Sequence, residues 1–159
     1  MKILIVSDTH RKDDIFAQVL KKESPVDLVI HAGDAEGSED YFEALTDAPF
    51  YYVAGNNDYF SDAPFDITFW IGSESVFLTH GHHYYVSTSE QRVEEEARAR
   101  GASVLIYGHT HRPVIRQEEG LLIMNPGSLA YPRQPGRKPS YIVAEADDKG
   151  RLQPEIRYL

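Results

Sequence analysis

Lys2-Ile3-Leu4-Ile5-Val6-Ser7-Asp8-Thr9-His10 decides the architecture, because an unbroken apolar run ends abruptly on a carboxylate and an imidazole. A half-exposed strand would alternate polar and apolar residues, whereas residues 3–6 offer no face to water. Helical spacing follows within residues 13–22, where Ile15, Phe16, Val19 and Leu20 share one side. A second buried-type strand covers 26–31, a helical stretch 38–46 and a third strand 50–54. This strand–helix–strand alternation predicts parallel pairing, with helices covering the sheet.

Beyond residue 60 the pattern changes. Stretches 66–71 and 75–79 predict a strand pair turning at Gly72-Ser73, and a helix is expected over 87–100. Ser87 and Glu90 have capping-box spacing, and Gly101 falls where a glycine closes a helix. The remainder is strand-rich: 104–107, 114–117, 121–124, 140–146 and 152–158, with turns at Glu118-Glu119-Gly120 and Asp148-Lys149-Gly150. An α/β first half and a β-rich second half imply two packed sheets with helices outside, in one domain spanning 1–159.

Composition excludes several functions. The net charge is −9, with 25 acidic against 16 basic residues, which disfavours long nucleic acid as a partner. Bound divalent cations would still reconcile such a chain with a phosphate substrate. No apolar run could span a bilayer, the short apolar N-terminus reads as a strand rather than a signal peptide, and no membrane partner is expected. Cysteine is absent, so thiolate metal sites and disulfides are excluded and a cytoplasmic location is expected. A homodimer and a monomer are equally compatible with the sequence.

Polar residues concentrate directly after the predicted strands. Asp8 and His10 follow the first, Gly33-Asp34 the second and Gly55-Asn56-Asn57-Asp58 the third. Thr79-His80-Gly81-His82-His83 and Gly108-His109-Thr110-His111 follow two later ones. Ligands bind outside the carboxyl ends of strands in open α/β sheets, so these five loops can converge on one crevice. Singly, each motif reads as turn chemistry. Together they hold or adjoin all seven histidines, a placement that turns alone do not explain. Oxygen and imidazole donors suit manganese, iron, nickel or zinc. Eight candidate donors exceed one tetrahedral ion and suit two ions sharing a carboxylate, for which Asp34 is the candidate.

This ordered set, Asp8-x-His10, Gly33-Asp34, Gly55-Asn56-x-Asp58, His80-Gly81 and Gly108-His109-x-His111, resembles the calcineurin-like metallophosphoesterase superfamily. Asn125-Pro126-Gly127-Ser128, followed by Pro132-Arg133, is similar to the small single-domain bacterial and archaeal phosphodiesterases within it. The resemblance implies an α/β (α+β) fold, a four-layer α-β-β-α sandwich of two mixed sheets flanked by helices. It further implies two divalent ions, manganese foremost. Asp8, His10 and His111 would bind one, Asn56, His80 and His109 the other, with Asp34 bridging. A metal-bridging hydroxide would then attack the phosphorus of a small phosphate ester directly, a diester in preference to a monoester.

One position departs from the family pattern. Where many members carry a histidine able to protonate the leaving oxygen, this chain has Asn57, and an amide cannot act as a general acid. His82, two residues from His80, is the substitute expected to contribute to catalysis. Asp58 is expected to orient Asn56 or a ligand histidine. Arg133, Asn125 and Arg11 are candidates for holding substrate. Rival enzyme classes fit poorly: aspartyl phosphotransferases want Asp-x-Asp after the first strand, and metallo-β-lactamase-type hydrolases want His-x-His-x-Asp-His. The remaining alternative is a metal-binding protein-interaction scaffold of the same fold, with little or no turnover.

Overall fold

The apolar run at the N-terminus forms a central strand whose residues Ile3 to Val6 are fully buried. The computed structural model describes residues 1–159. In chain order β1 (Lys2–Val6) leads through α1 (Asp13–Glu23) to β2 (Leu28–His31), and α2 (Glu39–Ala44) to β3 (Phe50–Tyr52). β4 (Asp66–Ile71) and β5 (Glu74–Thr79) form a hairpin, followed by a short 3-10 turn, His82–Tyr84, and α3 (Gln91–Ala99). Five strands complete the chain: β6 (Val104–Ile106), β7 (Pro113–Glu118), β8 (Leu121–Pro126), β9 (Ser140–Ala146) and β10 (Leu152–Tyr158).

Two five-stranded mixed sheets result, in the orders β10-β9-β1-β2-β3 and β4-β5-β6-β8-β7. β1, β2 and β3 run parallel, with Ile3 beside Leu28 and Val29 beside Phe50, while β9 is antiparallel to β1. In the second sheet β5, β6 and β8 run parallel between antiparallel edge strands. Successive side chains point to opposite faces of a strand, so β1 serves two cores at once. Ile3 and Ile5 meet Val76, Leu78 and Ile106 between the sheets. Leu4 and Val6 face outward onto Phe16, Val19 and Phe42 of α1 and α2. On the far side Phe77, Leu105 and Ile123 pack against Val93 and Ala97 of α3. The layers are therefore α-β-β-α, as the resemblance implies. The carboxyl ends of all six parallel strands lie along one margin of the sandwich.

The expected capping box does not form. α3 begins at Gln91 rather than Ser87, and Glu90 makes no side-chain cap. Its carboxylate instead accepts the hydroxyl of buried Tyr107 and pairs with Arg116, because a buried phenol needs an acceptor more than an exposed helix end does. Gly101 does adopt the left-handed conformation beyond the helix, at φ 70°.

A buried ionic cluster fixes α1 against the first sheet. Glu23, whose side chain is 4% exposed, lies 3.0 Å from Lys2 Nζ and 2.6 Å from Arg157, and accepts the Tyr141 hydroxyl at 2.8 Å. Burial alone would raise its pKa, but Tyr141, Lys2 and Arg157 outweigh that and leave it below the ordinary 4.5. A depressed carboxylate stabilises the fold above its unfolded pKa and loses that contribution as pH falls through the folded value. Glu23→Gln should cost about 2–3 kcal/mol in urea unfolding at pH 7. The gap to the parent protein should narrow steadily below the ordinary glutamate pKa, and a gap independent of pH would contradict this account.

Candidate metal centre

Loops leaving β1, β2, β3, β5 and β6 are drawn together by their own backbones. Asp8 N–H donates to Gly33 O at 3.0 Å, His10 N–H to Asp34 O at 3.0 Å, and Gly108 N–H to His80 O at 3.2 Å. Asp8, His10, Asp34, His109 and His111 all adopt left-handed backbone, with φ between 41° and 67°. Each such residue costs on the order of 1–3 kcal/mol, and that strain persists only where the surroundings over-determine it. Here it clusters on the residues whose side chains converge. The motif glycines make the closeness possible. A Cβ at Gly33 would stand 2.7 Å from His80 Nδ1, one at Gly55 would collide with the Asp34 carboxylate, and one at Gly108 with Ser7 Oγ and Asp8. Gly55 and Gly108 do not have positive φ, so their requirement is close approach rather than turn conformation.

Three imidazoles are oriented from behind. His10 Nδ1–H donates to Glu36 at 2.6 Å, His80 Nδ1–H to Ala32 O at 2.7 Å, and His111 Nδ1–H to Tyr131 O at 2.8 Å. Each therefore turns Nε2 inward, where it offers either a lone pair to a cation or a proton in the cation's place. His109 points Nδ1 the same way, 3.3 Å from His80 Nε2. His10 Nε2 and His111 Nε2 are 3.4 Å apart, and Asn56 Oδ1 is 3.1 Å from His80 Nε2.

Two carboxylates complete the set. Fully buried Asp8 accepts Ser7 Oγ–H at 2.5 Å and His109 N–H at 3.0 Å through Oδ2. Its Oδ1 has no hydrogen-bond partner and faces His111 Nε2 at 2.9 Å. Burial would raise the Asp8 pKa, but His80, His10 and His111 hold it well below the carboxylate range. The reciprocal effect raises His10, against its own burial, to about 9 through Asp8 and Glu36, and also raises His80. Asp34 Oδ2 lies 3.5 Å from His80 and 3.8 Å from His10, and the group is lowered to about 2 by His80 and Asn57 despite burial.

Donor atoms of Asp8, His10 and His111 lie within 4.8 Å of one another, as do those of Asp8, Asp34 and His80. Asn56 and His109 adjoin the His80 side, and Asp34 stands between the two groups. An orphaned buried carboxylate oxygen among inward imidazole nitrogens, with no sulfur, fits hard or borderline divalent cations. All seven expected ligand residues are thus in one crevice. Asp8 also reaches toward His80, at 4.0 Å, beyond the group to which the resemblance assigns it.

The other expected site residues are arranged differently. Asp58 is no partner of Asn56 or a histidine. It accepts the backbone N–H groups of Asp34 and Gly55, both at 2.7 Å, and of Glu36 at 2.6 Å, tying the β2 and β3 loops together. Asn57 donates its backbone N–H to Asp34 Oδ1 at 2.9 Å and its amide to Oδ2 at 2.7 Å. Asn125 cannot touch substrate, since it is fully buried with its amide on Gly108 O and Thr110 and its oxygen on Gly127 N–H. His82 is beside the crevice, its ring 5.4 Å from His80. Burial, then His80, His83 and His109, lower it to about 4, which disfavours the proton-loaded form expected of a general acid. Arg11 and Arg133 are exposed and line separate cavities.

Several supports surround these residues, and among them the Asn125-Pro126-Gly127-Ser128 loop is the one its sequence already suggests is held against the site. Ser128 Oγ–H donates to Asp8 O at 2.8 Å and accepts Tyr131 N–H at 2.8 Å, so the Asn125-Pro126-Gly127-Ser128 loop fastens onto Asp8. Buried His31 accepts Gly33 N–H through Nδ1 at 3.1 Å and bonds Thr9 through Nε2 at 3.0 Å, and burial holds it neutral with a pKa of about 4. Only the position of His31 before Gly33-Asp34 hinted at this role. Nothing in the sequence singled out Glu36 or Tyr131.

Known proteins resemble this chain along most of its length. A family model described as the calcineurin-like phosphoesterase superfamily domain matches residues 1–149. A probable metallophosphoesterase of Methanothermobacter thermautotrophicus is 37% identical over 98% of this chain and 91% of its own. A phosphodiesterase of Methanocaldococcus jannaschii is 33% identical over 80% and 83%. The solved structure of a predicted phosphoesterase from Streptococcus pneumoniae superimposes with a TM-score of 0.85 at 29% identity, covering 99% of this chain and 88% of that one.

Asp58 offers a direct test of the loop geometry. Asp58→Asn replaces an acceptor by an amide that opposes the loop N–H groups, and metal affinity should fall about 10–100-fold. Elemental analysis after dialysis against a series of free-manganese concentrations measures this. Undiminished occupancy would show that the Asp58 bonds do not set the site.

Proposed function

The chain belongs to the calcineurin-like phosphoesterase superfamily, and we propose that it is a phosphodiesterase acting on a small phosphate ester with two divalent ions, manganese foremost. The observation that carries this reading is Asp8 Oδ1, a buried carboxylate oxygen with no hydrogen-bond partner amid imidazole nitrogens. Asp8, His10 and His111 would hold one ion and Asn56, His80 and His109 the other, with Asp34 shared. Two ions so held supply Lewis acidity at the phosphoryl oxygens and bring the pKa of water toward neutrality. The chain's own part is orientation: Glu36, Ala32 and Tyr131 fix the rings, and Asn57 holds both oxygens of Asp34. The phosphodiesterase of Methanocaldococcus jannaschii supports diesters over monoesters.

No side chain is assigned to protonate the leaving oxygen. The Asn57 amide is too weak an acid to release a proton, and burial with the neighbouring histidines lowers His82 to about 4. Substrates with good leaving groups are therefore favoured, and the rate should depend steeply on leaving-group acidity.

Metal-replete protein should hydrolyse bis(p-nitrophenyl) phosphate faster than p-nitrophenyl phosphate, and chelation should abolish turnover. Asp34→Asn should lower kcat/KM by about 10³-fold or more, of the order expected when transition-state charge stabilisation is removed. Two ions bound per chain without turnover of any ester would overturn the enzyme reading. In a series of aryl diesters, His82→Ala should leave the leaving-group slope unchanged. A steeper slope in that variant would return the proton-donor role to His82.

A further inference from the structure

The arginines of this acidic chain divide into two populations. Arg98, Arg100, Arg116, Arg151 and Arg157 each reach a carboxylate, and Arg92 lies over the Tyr85 ring. Arg11, Arg112, Arg133 and Arg137 are exposed, and their guanidinium groups make no ion pair or hydrogen bond. With 25 acidic residues available, unpaired arginines are not forced by composition. Three of the four adjoin histidines of the crevice. Arg112 follows His111, Arg11 follows His10, and Arg133 donates its backbone N–H to His111 O at 3.0 Å.

Three of them meet in one place. Arg112, Arg133 and Arg137 line a cavity of about 610 Å³ with Tyr131, whose carbonyl orients His111. Arg112 and Arg133 also border a neighbouring cavity of about 300 Å³ that adds Ser87 and Thr110. The loop carrying Arg137 is closed by Arg137 N–H on Gln134 O at 3.1 Å and Gln134 Nε2–H on Lys138 O at 2.6 Å, which fixes where that arginine starts. Three like charges around one cavity repel each other unless an anion joins them, and planar guanidinium forks suit phosphoryl oxygens. The scissile phosphate does not need them, because the adjoining centre supplies its positive charge. The cavity beside Arg11, of about 310 Å³, differs in kind, because Glu36, Glu39 and Asp58 line it together with Asn57, Tyr59 and Phe60.

We infer that Arg112, Arg133 and Arg137 form an anion subsite for a second, uncleaved phosphoryl group of the substrate. The preferred substrate class is then a phosphodiester that carries a separate terminal phosphate, and this inference rests on the phosphodiesterase reading of the adjoining centre. The subsite gives the crevice a direction, with the terminal phosphate on the Arg133 flank and the remainder of the ester toward Arg11.

Two arms test it. In the first, metal-free protein is titrated with inorganic phosphate and followed by amide NMR shifts. Shifts should centre on residues 130–138, and the Arg112→Ala, Arg133→Ala, Arg137→Ala triple variant should bind about tenfold more weakly, whereas Arg151→Ala should not. In the second arm, thymidine 5′-(p-nitrophenyl phosphate) is compared with its 3′-phosphorylated counterpart, which shares the leaving group. The 3′-phosphate should raise kcat/KM about tenfold, mainly through KM. That ratio should fall toward one in Arg133→Ala and recover in part in Arg133→Lys. Phosphate binding unaffected by the triple variant, or a ratio near one in the parent protein, would overturn the subsite. Absence of turnover with both esters would overturn the phosphodiesterase reading, and the titration would still decide the subsite.

Discussion

The burial of one carboxylate organises this molecule. Asp8 sits where β1 ends, fully enclosed, and a lone carboxylate in such a place would bind a proton rather than stay ionised. It stays ionised because three histidines face it, His10 from its own loop and His80 and His111 from two others. Those loops can reach it only if the two sheets present their parallel strand ends along the same margin, and the intersheet core of Ile3, Ile5, Leu78 and Ile106 enforces that. Core packing and site assembly are therefore one constraint. Shifting β1 by one residue against β2 would send Ile3 and Ile5 to the wrong layer and remove Asp8 from its histidines.

Strain is the cost of this convergence, and the hydrogen-bond pattern shows how it is offset. Five residues of the crevice hold left-handed backbone, and buried side chains brace the loops that carry Asp8 and Asp34. Asp58 accepts three loop N–H groups, Ser128 bridges Asp8 and Tyr131, and His31 links Thr9 to Gly33. These side chains need have no chemistry of their own. Their buried bonds hold the left-handed loops in place and keep the side-chain donors close to one another.

The legible part of the fold was its periodicity. Continuous apolar runs gave parallel strands, and the cluster of polar residues just after them marked the crevice before any contact was known. Ends of elements are less legible: α3 starts three residues later than its capping pattern suggests, and Glu90 is claimed by Tyr107 and Arg116. The glycines were read as turn residues, but Gly55 and Gly108 are required by contacts with Asp34 and with Ser7, which lie far away in sequence. Asn125 had the composition of a binding residue and turned out to brace the Gly108 loop from inside. Such roles depend on which loop lies behind which, and no local pattern encodes that.

Asn57 ties the chemistry to the architecture. A histidine there could carry a proton but would present one ring nitrogen toward a neighbour at a time. The asparagine amide, together with its own backbone N–H, engages both oxygens of Asp34 and fixes the plane of that carboxylate. Fixing the plane matters for a group that must face His10 on one side and His80 on the other, at 3.8 and 3.5 Å. The exchange therefore trades a proton donor for a rigid carboxylate. Under the proposed phosphodiesterase activity, it suits a reaction in which the leaving group departs readily and charge on phosphorus is the larger barrier. A site with that balance gains little from an acid and much from orientation, and orientation is what the loops, the buried braces and the strained backbone all supply.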